Sequence, residues 1–311
     1  MPRDGGTGKK RGGKLGFWFF RTSLRLLGIS GTYGFLYFVC FHYLIFDSAA
    51  VSASMAYMRK RFPNHSVVRM YIDVYRLFIN QGKSLIDRYY AASGHGKYDA
   101  RLNGYDRIQR YFRNTDRGLI LLTAHIGNWQ FAMTALRRLD KTVHLLMRPE
   151  DNEAVKSVLN IDSDNGNIKI ISSEGYLSGV IEAMGAVYEG EIVSIMGDRP
   201  YEYKTVQTVF LGSMASFPIG AFTIAAAAKC PIVVLLSAKT GKRSYLVDIT
   251  NVIELPDSPR GDRDEVVLAG VRKFAGVLEK YVEEYPYQWF VFEDLWQNDL
   301  GDKVSARERA R

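Results

Sequence analysis

The chain holds 311 residues, 47% of them hydrophobic, with 41 Lys and Arg against 33 Asp and Glu and a formal net charge of +8. That apolar content supports a sizeable core and excludes global disorder; the length fits one large domain with a membrane attachment, or two small domains. Two cysteines, Cys40 and Cys230, are too few for a disulfide framework, and no zinc-type Cys/His spacing is present, which fits a reducing compartment.

Residues 1–15 form a glycine-rich arm crowded with Arg3, Lys9, Lys10, Arg11 and Lys14, and residues 298–311 end in a second basic tail with Arg307, Arg309 and Arg311. Cations placed in flexible tails suit an anionic membrane surface or an acidic carrier protein. A nucleic-acid binder needs a basic stripe on a folded face, which the pattern lacks.

Residues 16–50 read as a membrane anchor. The run at 26–46, LLGISGTYGFLYFVCFHYLIF, has no formal charge and is just long enough to cross a hydrocarbon layer. Phe17, Trp18, Phe19 and Phe20 precede it beside Arg21 and Arg25, a headgroup-level pattern. The run is too long for a signal peptide and lacks a small-residue cleavage site. A spanning helix, an interfacial helix with both ends on one side, and a buried core helix stay open. Arg59, Lys60 and Arg61 make the second flank basic as well, which favours ends on one side.

Residues 51–115 read as a helical region. Met70, Val74, Leu77, Phe78, Leu85 and Tyr89 recur at helical steps and predict an apolar stripe. Ser93-Gly94-His95-Gly96 ends that helix, and a short one is expected at 104–113. Residues 116–297 then alternate. Strands are predicted at 119–124, 142–147, 168–171, 192–196, 232–237 and 245–249, with helices at 131–139, 153–159, 175–188, 220–228 and 264–284. The alternation predicts an α/β fold, a central mostly parallel sheet flanked by helices.

Ligands of such sheets gather beyond the carboxyl ends of the strands. Of the five histidines, His42 lies in the apolar run, His65 and His95 in polar turns, and His144 inside a strand. Only His125 stands where a strand meets a helix, next to a glycine. A neutral imidazole there can take a proton from an attacking hydroxyl or amine. Asn128 can cap the following helix.

His125-Ile126-Gly127-Asn128-Trp129-Gln130 resembles the HxxxxD/E block of the lysophospholipid and lipid A late acyltransferase superfamily. Met147-Arg148-Pro149 resembles that family's Arg-Pro pair, and Gly190 to Val193 followed by Gly197-Asp198-Arg199-Pro200 its glycine, strand and turn. Phe210-Leu211-Gly212, Phe217-Pro218-Ile219-Gly220 and Pro286-Tyr287-Gln288-Trp289 resemble three later blocks, in the same order. The resemblance implies a glycerolipid-acyltransferase-like fold behind an N-terminal membrane-associated helix. It implies acyl transfer from an acyl carrier protein or coenzyme A thioester to a hydroxyl or amine of a lipid-like acceptor. That thioester is a co-substrate, and no resident cofactor or metal is expected. His125 is implied as general base, with direct attack and no acyl-enzyme. Asn128, Arg148, Asp198, Arg199, Phe217, Pro218 and Gly220 are candidates for organising the substrates, and the inner membrane's cytoplasmic face is the expected location. Aminoacyl, pigment or aminolipid transfer, and a non-catalytic lipid or carrier binder, are the alternatives.

Two departures stand out. Gln130 occupies the place of the motif acid; it can orient the imidazole but supplies no charge, so Asp198 or Glu174 is a candidate substitute. The stretch Ile171-Ser172-Ser173-Glu174-Gly175 lacks the arginine usual in the lipid A branch, which leaves Arg148, Arg199 or backbone N–H groups to stabilise an oxyanion.

Overall fold

A computed structural model describes residues 14–92, 98–147, 168–172, 176–199, 204–256 and 262–296. The helix expected at 153–159, and Arg148, Glu174 and His95 among the singled-out side chains, lie outside the described residues.

Three helices open the chain: α1 (Lys14–Phe46), α2 (Ser48–Arg61) and α3 (Val67–Ala92). Gly28 breaks α1 with φ 62°, and the Thr32 hydroxyl donates to the Gly28 carbonyl at 2.8 Å, patching the interrupted ladder. On α3, Met70, Val74, Leu77 and Phe78 face inward as their spacing requires, joined by Ile79 and Ile86. Leu85 and Tyr89, counted in the same stripe from sequence, instead lie on the exposed side.

The α/β part follows as β1 (Asp99–Asn103), α4 (Tyr105–Asn114), β2 (Leu119–Thr123), α5 (Trp129–Ala135) with a 3-10 turn at Leu136–Leu139, β3 (Val143–Met147) and β4 (Ile168–Ser172). It continues with α6 (Tyr176–Tyr188), β5 (Ile192–Met196), a hairpin of β6 (Thr205–Phe210) and β7 (Ser213–Pro218), and α7 (Gly220–Ala228). β8 (Ile232–Lys239), β9 (Ser244–Asp248), β10 (Val252–Ile253) and α8 (Arg263–Glu284) close it. The central sheet has the order β1-β9-β8-β2-β5-β3-β4, with β10 on β8. β8, β2, β5, β3 and β4 are mutually parallel, while β9 and β10 pair with β8 antiparallel. The sheet is therefore mostly parallel and flanked by helices, as the alternation predicts.

Side chains of β2 show how the layers are filled. Ile120 and Leu122 point into a core shared with α1 to α3 and α6 to α8, while Leu119 and Leu121 point into a second core with α4 and α5. All five β2 residues are buried, so the strand reads as an unbroken apolar run. The hairpin β6–β7 turns on Leu211 and Gly212, at φ 51° and 74°, the left-handed pair that a two-residue turn demands.

A buried polar cluster ties the helical front to the sheet. Asp87 of α3, 1% exposed, accepts from the hydroxyls of Tyr33 on α1, Tyr98 before β1 and Tyr245 on β9, and is ion-paired with Lys239 on β8.

Candidate active site

His125 and Asp198 meet because two strands share a register. In the parallel pair β2 and β5, Thr123 lies opposite Met196. Two residues past each strand, at the carboxyl edge of the sheet, stand His125 and Asp198. The His125 ring presents Nδ1 to Asp198 Oδ1 at 2.8 Å. The His125 backbone N–H donates to Oδ2 of the same carboxylate at 2.7 Å, and the Trp289 indole N–H donates to it at 2.9 Å.

Asp198 is fully buried. Burial pushes its carboxyl up, but His125, the ring hydrogen bond and the Arg199 guanidinium act the other way, and the net result lies below the usual carboxylate value. An ionised Asp198 only accepts, so Nδ1 carries a proton, and in the neutral ring the lone pair then lies on Nε2. The ring is 18% exposed, so it is reachable from outside the protein.

The turn beneath the ring is closely held. Gly127 has φ 59°, and a Cβ there would lie 2.1 Å from the Ser237 carbonyl oxygen. Ser237 at the end of β8 accepts from the Asn128 N–H at 2.9 Å and donates to the Ile126 carbonyl at 3.2 Å. Asn128 caps α5: its Oδ1 accepts from the Phe131 N–H at 3.2 Å, and its Nδ2 donates to the Ser84 carbonyl at 3.3 Å. The segment after α8 closes the far side. Gly127 N–H donates to the Gln288 carbonyl, Phe290 N–H to the His125 carbonyl, and the Gln288 amide clamps both backbone groups of Lys239. Gly127→Ala therefore adds a left-handed strain and a backbone clash. It is expected to cost roughly 2–4 kcal/mol, seen as a lower thermal midpoint, while Gly185→Ala, inside α6 with nothing within 4 Å of the added carbon, should not lower the midpoint and should raise it by the helix preference of alanine, about 1 kcal/mol.

The predicted site residues divide. His125, Asn128, Asp198 and Arg199 gather at one edge; an Arg199 guanidinium nitrogen donates to the Phe290 carbonyl at 3.1 Å. Gln130 does not take the orienting role that its motif position suggested. It is buried on the first turn of α5, no hydrogen bond joins it to His125, and Nδ1 is occupied by Asp198. Phe217 is fully buried between the rings of Phe210 and Phe274, and Pro218 ends β7, so both shape the core beside the site. Gly220 opens α7, whose far end leads into β8; its N-terminus thus points to the sheet's carboxyl edge, an orientation that favours anions. His144 sits near the opposite edge of the sheet, paired with Glu191 at 3.1 Å, and His65 pairs with Asp73 at 2.7 Å.

Trp289 is a further candidate site residue, one that the sequence offered only as part of a motif block. It is 1% exposed, edge-packed on Tyr57 with ring centroids 4.9 Å apart, and aims its one polar atom at Asp198. The block Pro286 to Trp289 was a signal, but nothing in it specified a carboxylate partner. Trp289→Phe keeps most of the packing and removes the donor. It is expected to slow turnover roughly tenfold, the worth of one hydrogen bond to a charged group, in a steady-state assay with folded content checked by near-UV circular dichroism.

The family model for bacterial lipid A biosynthesis acyltransferases matches residues 58–298, which include every strand of the sheet and both His125 and Asp198. A comparison with curated proteins gave no match. With the match covering most of its length, the chain belongs to the bacterial lipid A biosynthesis acyltransferase family and is an acyltransferase of lipid-like acceptors.

Proposed function

We propose that this protein transfers an acyl group from an acyl carrier protein or coenzyme A thioester to a hydroxyl or amine of a lipid-like acceptor, at the cytoplasmic face of an inner membrane. The observation that carries the proposal is the bond from His125 Nδ1 to the buried Asp198 carboxylate. It fixes the tautomer in which Nε2 is a free base.

In the first step Nε2 takes the proton of the acceptor's hydroxyl or amine as its oxygen or nitrogen attacks the thioester carbonyl carbon. The imidazolium that forms lies against Asp198, whose negative charge offsets it. The tetrahedral oxyanion then collapses, the C–S bond breaks, and the imidazolium returns its proton to the leaving thiolate. No covalent acyl-enzyme is required. Asp198 supplies the charge that Gln130 lacks, so the missing motif acid does not disable the site. Arg199 and the N-terminus of α7 are candidates to organise anionic donor or acceptor groups, and basic patches suit an acidic carrier protein.

Lipid mass spectrometry of cells with and without the gene tests the reading. The expected result is one lipid class heavier by a single acyl group, lost in cells carrying His125→Ala at equal protein level. A lipid profile indifferent to both changes overturns it.

A further inference from the structure

Outside the site, exposed large apolar side chains concentrate on α1 and α3. Phe38 and Phe46 on α1 are 73% and 71% exposed, and Val67 and Val68 on α3 are 69% and 71% exposed. The two helices run antiparallel. Tyr33 meets Asp87 near one end, and Phe41 meets Tyr75 near the other, their ring centroids 6.4 Å apart. The end of α1 and the start of α3 therefore form one continuous apolar tip. Patches of this kind mark interaction surfaces.

We propose that this tip enters a single leaflet of the bilayer from one side, so that the first turns of α3 are a membrane element alongside α1 and no helix crosses. Three observations carry it. First, the inward stripe of α1, Thr32, Leu36 and Cys40, is buried against the body. Gly82 of α3 makes room for Leu36, since a Cβ there would lie 2.4 Å from the leucine methyl. A lone spanning helix is instead lipid-covered all round.

Second, α1 is tied to charge at its midpoint. Tyr33 bonds to Asp87, the partner of Lys239, and the Lys83 ammonium lies 5.6 Å from the ring centroids of Tyr33 and Tyr37. The fourteen residues from Tyr33 to Phe46 rise about 20 Å, short of the roughly 30 Å hydrocarbon core. A spanning pose draws the Lys83 charge into hydrocarbon.

Third, the chain returns to the body at once. Asp47 caps α2 directly, and Lys60 and Arg61 bond to Ser213 and to the carbonyls of Val282 and Glu283. The bilayer is the fitting occupant because the apolar tip is continuous with the uncharged run of α1. Arg69 and Arg76, each 45% exposed, flank it where anionic headgroups lie.

The inference rests on the proposed function only in taking the bilayer as the source of the acceptor. Its test reads topology and depth, so it can fail while acyl transfer stands, and the reverse. Full-length chain with Cys40→Ala and Cys230→Ala receives Thr7→Cys or Ser52→Cys and is probed with a membrane-impermeant maleimide in inverted and right-side-out membranes. Both positions should be labelled from the same side. A Val68→Cys variant carrying an environment-sensitive fluorophore should shift to the blue on adding phosphatidylethanolamine–phosphatidylglycerol vesicles. Val68→Asp with Ile72→Asp, both exposed positions, should lower vesicle partitioning at least roughly tenfold. Labelling of positions 7 and 52 from opposite sides means a spanning helix and overturns the proposal. A fluorophore at 68 that stays in water, with partitioning unchanged in the double variant, removes α3 from the membrane and overturns it equally.

Discussion

Asp198→Asn is expected to slow acyl transfer about ten-thousand-fold, with little change in KM for the acyl donor. The magnitude is that of neutralising the carboxylate behind a catalytic imidazole, where the amide keeps the shape but favours the wrong tautomer and leaves the imidazolium uncompensated. Asp198 accepts from the ring, from the His125 N–H and from Trp289. A purely structural role predicts loss of fold with loss of rate, and partial rescue by Asp198→Glu distinguishes the two. Stability gives an independent reading. The folded-state pKa of Asp198 is held below its ordinary value. Its ionised form thus adds stability that is fully present above the unfolded carboxylate pKa, about 3.9, and is lost as pH falls through the folded value. Thermal unfolding against pH should show this acid limb weakened in the asparagine variant.

Asp87→Ala should lower stability by about 3–5 kcal/mol, because it leaves the Lys239 ammonium buried without its counter-ion. The Lys239 side chain is 12% exposed, and its other hydrogen-bond partner is the Lys242 carbonyl. The loss also frees three tyrosine hydroxyls at the junction of α1, α3 and the sheet. Thermal midpoints in detergent check this. Adding Lys239→Met removes the stranded charge and should recover much of the loss; a double variant no better than Asp87→Ala means the ion pair is not the source. Because Lys239 is clamped by Gln288, which also holds Gly127, Asp87→Ala should reduce activity as well as stability.

The strand-and-helix alternation was legible because buried parallel strands are apolar runs with sharp ends. β5 and α7 coincide with their predicted bounds. The hairpin β6–β7 was not. Its residues alternate with polar Gln207, Thr208, Ser213 and Ser216, and the turn at Leu211-Gly212 signals only one left-handed glycine. β1 was hidden likewise: Asp99–Asn103 is polar at three of its five positions and gains its place by pairing with β9.

At the site, His125 was legible from its strand end and neighbouring glycine. Its partner was legible only as one of two carboxylates, because β2 and β5 are neighbours in space but separated along the chain by β3, β4 and α6. Motif spacing pointed five residues on, to Gln130, whereas the register of two parallel strands points to Asp198. The Asp87 cluster carried no local signal at all. Its members come from α1, α3, β8, β9 and the approach to β1, and only folding brings them together.

The pairing of His125 with Asp198 is tested most directly by a double-mutant cycle on the acyl-transfer rate constant under single turnover, with purified full-length enzyme, acyl carrier protein thioester and extracted lipid. Groups that act as a unit are strongly non-additive. If the imidazole is the base and the carboxylate acts through it, Asp198→Asn costs nothing further once His125→Ala is present. Penalties that multiply in the double variant mean the two side chains act independently, and the account of this site is then wrong.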